Sequence, residues 1–325
     1  MKNICTVLLV TYNHAPYVAK CIESVLSQKT KYSFVIKIFD DASTDGSSDI
    51  IKEYACKYPD KIQAFISPKN QGAQTNIWNA YKSVDTKYCI LTETDDYWCS
   101  DLKLESQISA LENNPDCSFC STNNLVEVIE DKYLSHKNGQ PEIKPRTFSS
   151  NIITYEDIEK IPCGFLTHIS SRLIRTSSLN IEEIKHKESI LFDASQFFYL
   201  LTKGNMYWID KIFSVYVKTG TGVCSSAVAS NRLSAYWRAM IDLNEDTKGV
   251  CWGKIAEQLC LVSTVWVNLS KEKKTFSTLI PFQRFSKDNI EQKKFFGIDL
   301  TKIIETEDTI KILFLGLTIF KIRKT

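Results

Sequence analysis

Between Ile4 and Asn113 the chain alternates strand-length apolar runs with amphipathic stretches four times over, and this rhythm limits the fold more than any other feature. ICTVLLV is continuously apolar, as a strand covered on both faces must be. Asn13 is placed to cap the helix that follows, with Pro16 in its first turn and Val18, Ile22, Val25 and Leu26 on one stripe. FVIKIFD, Phe34 to Asp40, reads as a second strand, and STDGSSDIIKEYACKYP as a helix with Ile50, Ile51 and Tyr54 inward and Pro59 past its end. IQAFIS and QTNIWNAYKSV repeat the pair, and YCILTE and the stretch from Asp101 to Asn113 repeat it again. Such alternation predicts an α/β layer, a mostly parallel sheet flanked by helices.

In sheets of this kind, ligands bind beyond the carboxyl ends of the strands. The polar clusters fall there: Thr11-Tyr12-Asn13, Asp40-Asp41, and Glu93-Thr94-Asp95-Asp96. In an extended segment Glu93 and Asp95 point to one side, and two carboxylates on one side suit Mg²⁺ or Mn²⁺ bound together with substrate phosphates. The chemistry that needs so open a metal site is displacement at a diphosphate, where the metal offsets charge on the leaving oxygens. The bland alternative is a solvated acidic turn. Neither a G-x-G-x-x-G after the first strand nor a P-loop is present. Asp40 and Asp41 suit hydrogen bonds from a nucleoside, and they suit turn formation equally well.

The second half is less regular. Asn138 to Asn151 reads as a loop, SRLIR as a short strand, ESILFDASQFFYLLTKG as a helix, and MYWIDKIFSVYVKTGTG as one or two strands entering a glycine loop. From Ala227 the pattern is mainly helical. Cys117-x-x-Cys120 lacks a second ligand pair at zinc spacing and reads as two buried strand residues. Eleven cysteines without regular spacing suggest free thiols in a reducing compartment, and no apolar run reaches membrane-spanning length, so a cytoplasmic protein is expected. A net charge of +2 gives no general field for nucleic acid. Lys311, Lys321, Arg323 and Lys324 make the apolar C-terminal segment basic, which suits peripheral contact with an anionic membrane; a last strand or helix packed on the core is the competing reading.

VLLVTYNHAPYVAKCIESVLSQ, IFDDASTDGSSDII, NQGAQTNIWNAYKSVDTKYCILTETDDYW and DLKLESQISALENNPD together resemble, in order and spacing, the nucleotide-sugar half of family 2 inverting glycosyltransferases. The resemblance covers about the first 120 residues. It implies a GT-A fold with Glu93-Thr94-Asp95 in place of the DxD metal motif, Glu93 standing where aspartate is commoner. It further implies a donor site of Thr11, Tyr12, Asn13, Asp40, Asp41, Asn76, Glu93, Asp95 and Asp96, a nucleotide-diphosphate sugar as donor, and a saccharide or lipid-linked saccharide as acceptor. Trp98 can stack on a sugar or be a plain core aromatic.

More loosely, ILFDASQFFYLLTKGNMYWIDKIFSVYVKTGTGV resembles the acceptor half, with Asp193 at the position of the general base; its bland role is a helix cap. Members of this type often carry a basic residue and a histidine after the strand's tyrosine, whereas Tyr216 is followed by Val217, Lys218 and Thr219. Lys218 can replace the charge, and His168 or His14 can be recruited instead, although a lone histidine is more often structural. The expected domains are a catalytic unit over 1–225, split near 120, and a helical extension over 226–325. The competing functions are a sugar nucleotidyltransferase and a nucleotide-sugar binder without catalysis.

Overall fold

The computed structural model describes residues 3–129, 142–143, 148–159, 167–182, 184, 186, 190–191, 193–219 and 229–251, together with the backbone of strands between 283 and 323. The first part is the expected alternation: β1 (Cys5–Thr11), α1 (Ala15–Leu26), β2 (Phe34–Asp40), α2 (Ser47–Lys57), β3 (Ile62–Ile66), α3 (Ala73–Lys82), β4 (Tyr88–Glu93), β5 (Tyr97–Trp98) and α4 (Lys103–Asn113). There follow β6 (Cys117–Val128), β7 (Glu142–Ile143), β8 (Ile152–Ile153), α5 (Tyr155–Glu159), a 3₁₀ turn at Ile169–Ser171, β9 (Leu173–Arg175), α6 (Asp193–Leu201), β10 (Asn205–Lys218) and α7 (Ala229–Asp246). Strands β1 to β10 form one sheet whose main path runs β3-β2-β1-β4-β9-β6-β10-β5, with β7 on β6 and β8 on β10.

The sheet is parallel where the alternation is clean and mixed beyond it. β3, β2, β1 and β4 are all parallel neighbours. β9 then pairs antiparallel to both β4 and β6, while β6 and β10 are parallel. A run such as CTVLLVT is apolar throughout because it feeds two cores. Leu8 and Val10 face one cluster, with Tyr81, Phe119 and Phe197; Val7 and Leu9 face the other, with Ile22, Ile36 and Leu104. Cys117 and Cys120 lie on β6 and are buried free thiols.

Two local expectations are corrected. Asn13 does not cap α1: its φ is 58°, its Oδ1 accepts from the Thr44 amide at 2.8 Å, and His14 stands at the cap position. Asparagine tolerates this left-handed conformation, so it turns the chain and bonds across to the next loop. The helical expectation for the C-terminal stretch is met over Ala229–Asp246. From Gln283 onward the described backbone is strand instead: β11 (Gln283–Lys287), β12 (Ile290–Phe295), β13 (Ile298–Glu305), β14 (Thr309–Phe314) and β15 (Leu317–Arg323), in an antiparallel meander. The β-branched, near-alternating TIKILF and LTIFKIR favour that choice, a signal that short apolar runs carry weakly. The chain divides into two compact units, Met1–Thr264 and Val265–Thr325. The packing candidates Leu259, Val262, Val265 and Trp266 lie outside the described residues. Among the described residues, no helix is long and apolar enough to cross a membrane.

One tight spot joins α6 to β10. At Gly204 an added Cβ would lie 2.7 Å from the Asp116 carbonyl oxygen and 3.1 Å from the Ser118 amide nitrogen, both backbone atoms that cannot swing away. Gly204→Ala is therefore expected to cost about 1–3 kcal/mol, read as a lower midpoint in urea denaturation at unchanged slope; an unaltered midpoint would show that the turn yields.

Candidate active site

The register of the parallel strands brings the polar exits together. Thr11 of β1 pairs with Asp40 of β2, and Val10 of β1 with Glu93 of β4, so three strand ends finish level on one rim. At β2 the two carboxylates are engaged by loops. Asp40 is fully buried and accepts from the hydroxyls of Ser43 and Ser48. Asp41 accepts from the Gln71 and Gly72 amides, each at 2.8 Å, which holds the entry to α3. Both thus have the turn-forming role that their sequence allowed. Asn76 spends its amide on the Phe39 carbonyl at 3.0 Å. Tyr12 is 45% exposed, whereas the buried Thr11 hydroxyl has no hydrogen-bond partner.

The exit of β4 is the electrostatic centre. Burial pushes the Glu93 carboxyl up to about 8, with the charges of Asp95 and Asp193 adding to it. Asp95 is also raised by burial, against the pull of His14; Asp96 is raised well above the carboxylate range by burial and then by Asp95 and Glu93. Three carboxylates withdrawn from water repel one another. Asp96 is nevertheless firmly held: Ser170 donates to Oδ2 at 2.6 Å and the Val217 amide to Oδ1 at 3.0 Å. Asp95 is not, and its buried Oδ1 lacks any hydrogen-bond partner.

Two histidines close the cluster, neither assigned to it from sequence. His14 places Nδ1 3.0 Å from the Thr94 hydroxyl and Nε2 3.9 Å from Asp95. His168 stands 3.6 Å from Asp96, its ring against Tyr216 at 4.4 Å between centroids, and burial lowers its pKa. A lone histidine some 70 or more positions from its carboxylate partner leaves no local pattern to find, so only the fold could recruit them. Glu93, Asp96 and His168 each present a ligand atom, and these atoms lie within 4.8 Å of one another. That donor set, the orphaned Asp95 oxygen and the uncompensated negative charge fit a hard divalent cation.

Asp193 opens α6 and points toward the same region, since its charge is felt at Glu93 and His168. Its side chain is 43% exposed, and Oδ1 lies 3.6 Å from the Arg172 guanidinium. Trp98, by contrast, is placed in the core: it is 4% exposed and its indole N–H donates to Thr92 at 3.1 Å, so its face is not offered to a sugar. Strand β5 alternates, and Tyr97 takes the outward position with Lys20 3.4 Å over its ring. The glycine loop after Thr219 lies outside the described residues.

Known proteins share this layout. Residues 6–171, just over half the chain, match the model of glycosyl transferase family 2. A putative teichuronic acid biosynthesis glycosyltransferase of Bacillus subtilis is 25% identical over 240 residues, covering 73% of this chain and 84% of the relative. The chain spans only about a third (33%) of the length of an uncharacterized Mycobacterium bovis protein to which it is 31% identical over 115 residues. Among solved structures, Staphylococcus aureus TarS 1–349 in complex with UDP-GlcNAc superposes with a TM-score of 0.57 at 14% identity, covering 84% of this chain and 76% of that one. A Pyrobaculum calidifontis mannosyltransferase in complex with GDP-Man and Mn²⁺ gives 0.52 at 12% identity, covering 85% and 77%. At such identities the two structures speak for the fold, a GT-A-like mixed sheet flanked by helices. The matched segment contains the rim from Thr11 to Asp96 and ends just past His168, and on it the chain belongs to glycosyl transferase family 2.

Proposed function

We propose that this protein is an inverting glycosyltransferase that moves a sugar from a nucleotide diphosphate to an acceptor hydroxyl. The observation that carries the reading is the buried carboxylate cluster at the end of β4, short of positive charge and with a free oxygen on Asp95. Asp95 and Glu93 would hold Mn²⁺ or Mg²⁺, with His168 and Asp96 at the same spot. When bound, the cation neutralises the diphosphate and stabilises it as a leaving group. The nucleoside would lie over Thr11, Tyr12 and Asn13, on loops held in shape by Asp40, Asp41 and Asn76. The nucleotide sugars in the two structural neighbours support a donor of this class.

Asp193 is the general base in this reading. Inversion requires the acceptor oxygen to attack opposite the leaving diphosphate while its proton is taken. A half-exposed carboxylate at the start of a helix, close to Glu93 yet across from it in sequence, can face an incoming hydroxyl. The teichuronic acid relative supports a surface polysaccharide or lipid-linked precursor as acceptor, and the basic C-terminal segment is suited to an anionic membrane nearby.

Calorimetric titration of UDP, GDP and dTDP with and without Mn²⁺ tests the donor site. One nucleotide should bind in a metal-dependent manner, and Asp95→Ala should abolish that dependence; a folded protein that binds none of them would sink the reading. Asp193→Asn should slow transfer about 10²–10⁴-fold while leaving nucleotide affinity within a few-fold, and a mere binder would show no such loss because it has no transfer to lose. The metal should also bind more weakly as pH falls. Glu93 holds its proton below about 8, and the cation must displace it, so affinity should drop by up to about tenfold per pH unit below that point. Mn²⁺ titrations between pH 6 and 9 measure this, and a flat profile would remove Glu93 from the ligand set.

A further inference from the structure

Behind Asp193 lies a charged side chain that the proposed chemistry leaves unused. Arg172 immediately precedes β9 and is completely buried. A guanidinium stays charged wherever it is placed, so burying one demands acceptors and an anion. The acceptors are present. Nε donates to the Thr167 hydroxyl at 2.7 Å, one terminal nitrogen donates to the Thr167 carbonyl, and the other to Gln196 Oε1 at 3.2 Å. The guanidinium also lies over the Phe197 ring at 5.6 Å.

The anion is Asp193, at 3.6 Å from its terminal nitrogen. This distance permits charge attraction without a hydrogen bond, and Asp193 Oδ1 indeed has no hydrogen-bond partner. A carboxylate that must accept a proton needs that combination: a fixed neighbour that sets its direction, and lone pairs that are not already taken. Gln196 stands one turn after Asp193 on α6 and donates to the Tyr81 hydroxyl at 2.8 Å and the Ile190 carbonyl at 3.0 Å. Arg172 therefore fixes the start of α6 against β9, and through Gln196 against α3 of the nucleotide-binding half. Glu93 and His168 are the other titratable groups whose electrostatics Asp193 influences.

We propose that Arg172 is the positioning residue of this site, a buried guanidinium that keeps Asp193 aimed without taking up the lone pairs of its Oδ1. It rests on Asp193 being the base. Arg172 is fully buried, so its proposed role is exercised through that carboxylate rather than by contact with substrate.

The test is a double-mutant cycle on Arg172 and Asp193, following release of nucleotide diphosphate from UDP-GlcNAc and GDP-Man, with thermal denaturation to select folded variants. Arg172→Lys keeps the charge but cannot reproduce the fork of hydrogen bonds. It should lower kcat roughly 10–100-fold with the donor KM unchanged, and Arg172→Met should lower it further. In an Asp193→Asn background, Arg172→Lys should change the remaining rate less than about twofold. If the two losses instead multiply, or if folded Arg172→Lys keeps the wild-type kcat, the positioning role is wrong. Should the Arg172 variants not fold, Gln196→Met, which removes one guanidinium partner, must show the same dependence on Asp193 for the inference to stand. Asp193→Asn with undiminished rate would instead remove the base assignment itself, an outcome separate from failure of the cycle.

Discussion

Everything at the rim depends on how β1 pairs with its two neighbours. A parallel ladder has no hairpin to set its register, so alignment comes from side chains that must enter the cores on both faces. Cys5 lines up with Phe34 on one side and Tyr88 on the other, and from there the ladder runs without a slip to Thr11 opposite Asp40. A shift by one residue would exchange Leu8 and Val10 for Val7 and Leu9 between the two clusters. It would also draw the β4 carboxylates out of line with the turn after β1. The same packing that stabilises the sheet therefore sets the geometry of the charged edge.

Three carboxylates side by side, Asp95 and Asp96 buried and Glu93 half-buried, are unfavourable, and the protein meets the cost unevenly. Asp96 is given a hydroxyl and an amide, Asp95 only a distant histidine, and Glu93 retains its proton. Two-thirds of the cluster is thus kept waiting for charge from outside. The ion pair of Arg172 is with Asp193. Had that guanidinium reached Glu93 and Asp95 instead, its fixed positive charge would compete with a metal for the same oxygens.

The parts legible in sequence were those written in local pattern. The alternation located the parallel half closely: FVIKIFD and YCILTE are strands over the residues expected, and Asp193 does begin a helix. The rim could be read because strand ends are fixed once strands are. What could not be read depended on distant chain. Nothing around His14 or His168 marks them as neighbours of Asp95 and Asp96. Trp98 follows two exposed-looking acids, yet the two-residue strand β5 turns its indole inward to Thr92. Arg172 sits in an SRLIR that reads only as a short strand, and its partners Thr167, Gln196 and Asp193 come from other segments. The C-terminal meander was lost for a different reason: its strands are too short for periodicity to separate them from helix.

The hold on Asp96 also bears on when the site comes into being. Its two donors, Ser170 and Val217, lie 74 and 121 positions further along the chain. Contacts over such separations close large loops, which carries an entropic cost and slows folding. A chain emerging from synthesis carries its acidic strand end long before either donor exists. The full cluster cannot be assembled until Val217 has been made, so a partly synthesised chain has the carboxylates without the arrangement that holds Asp96.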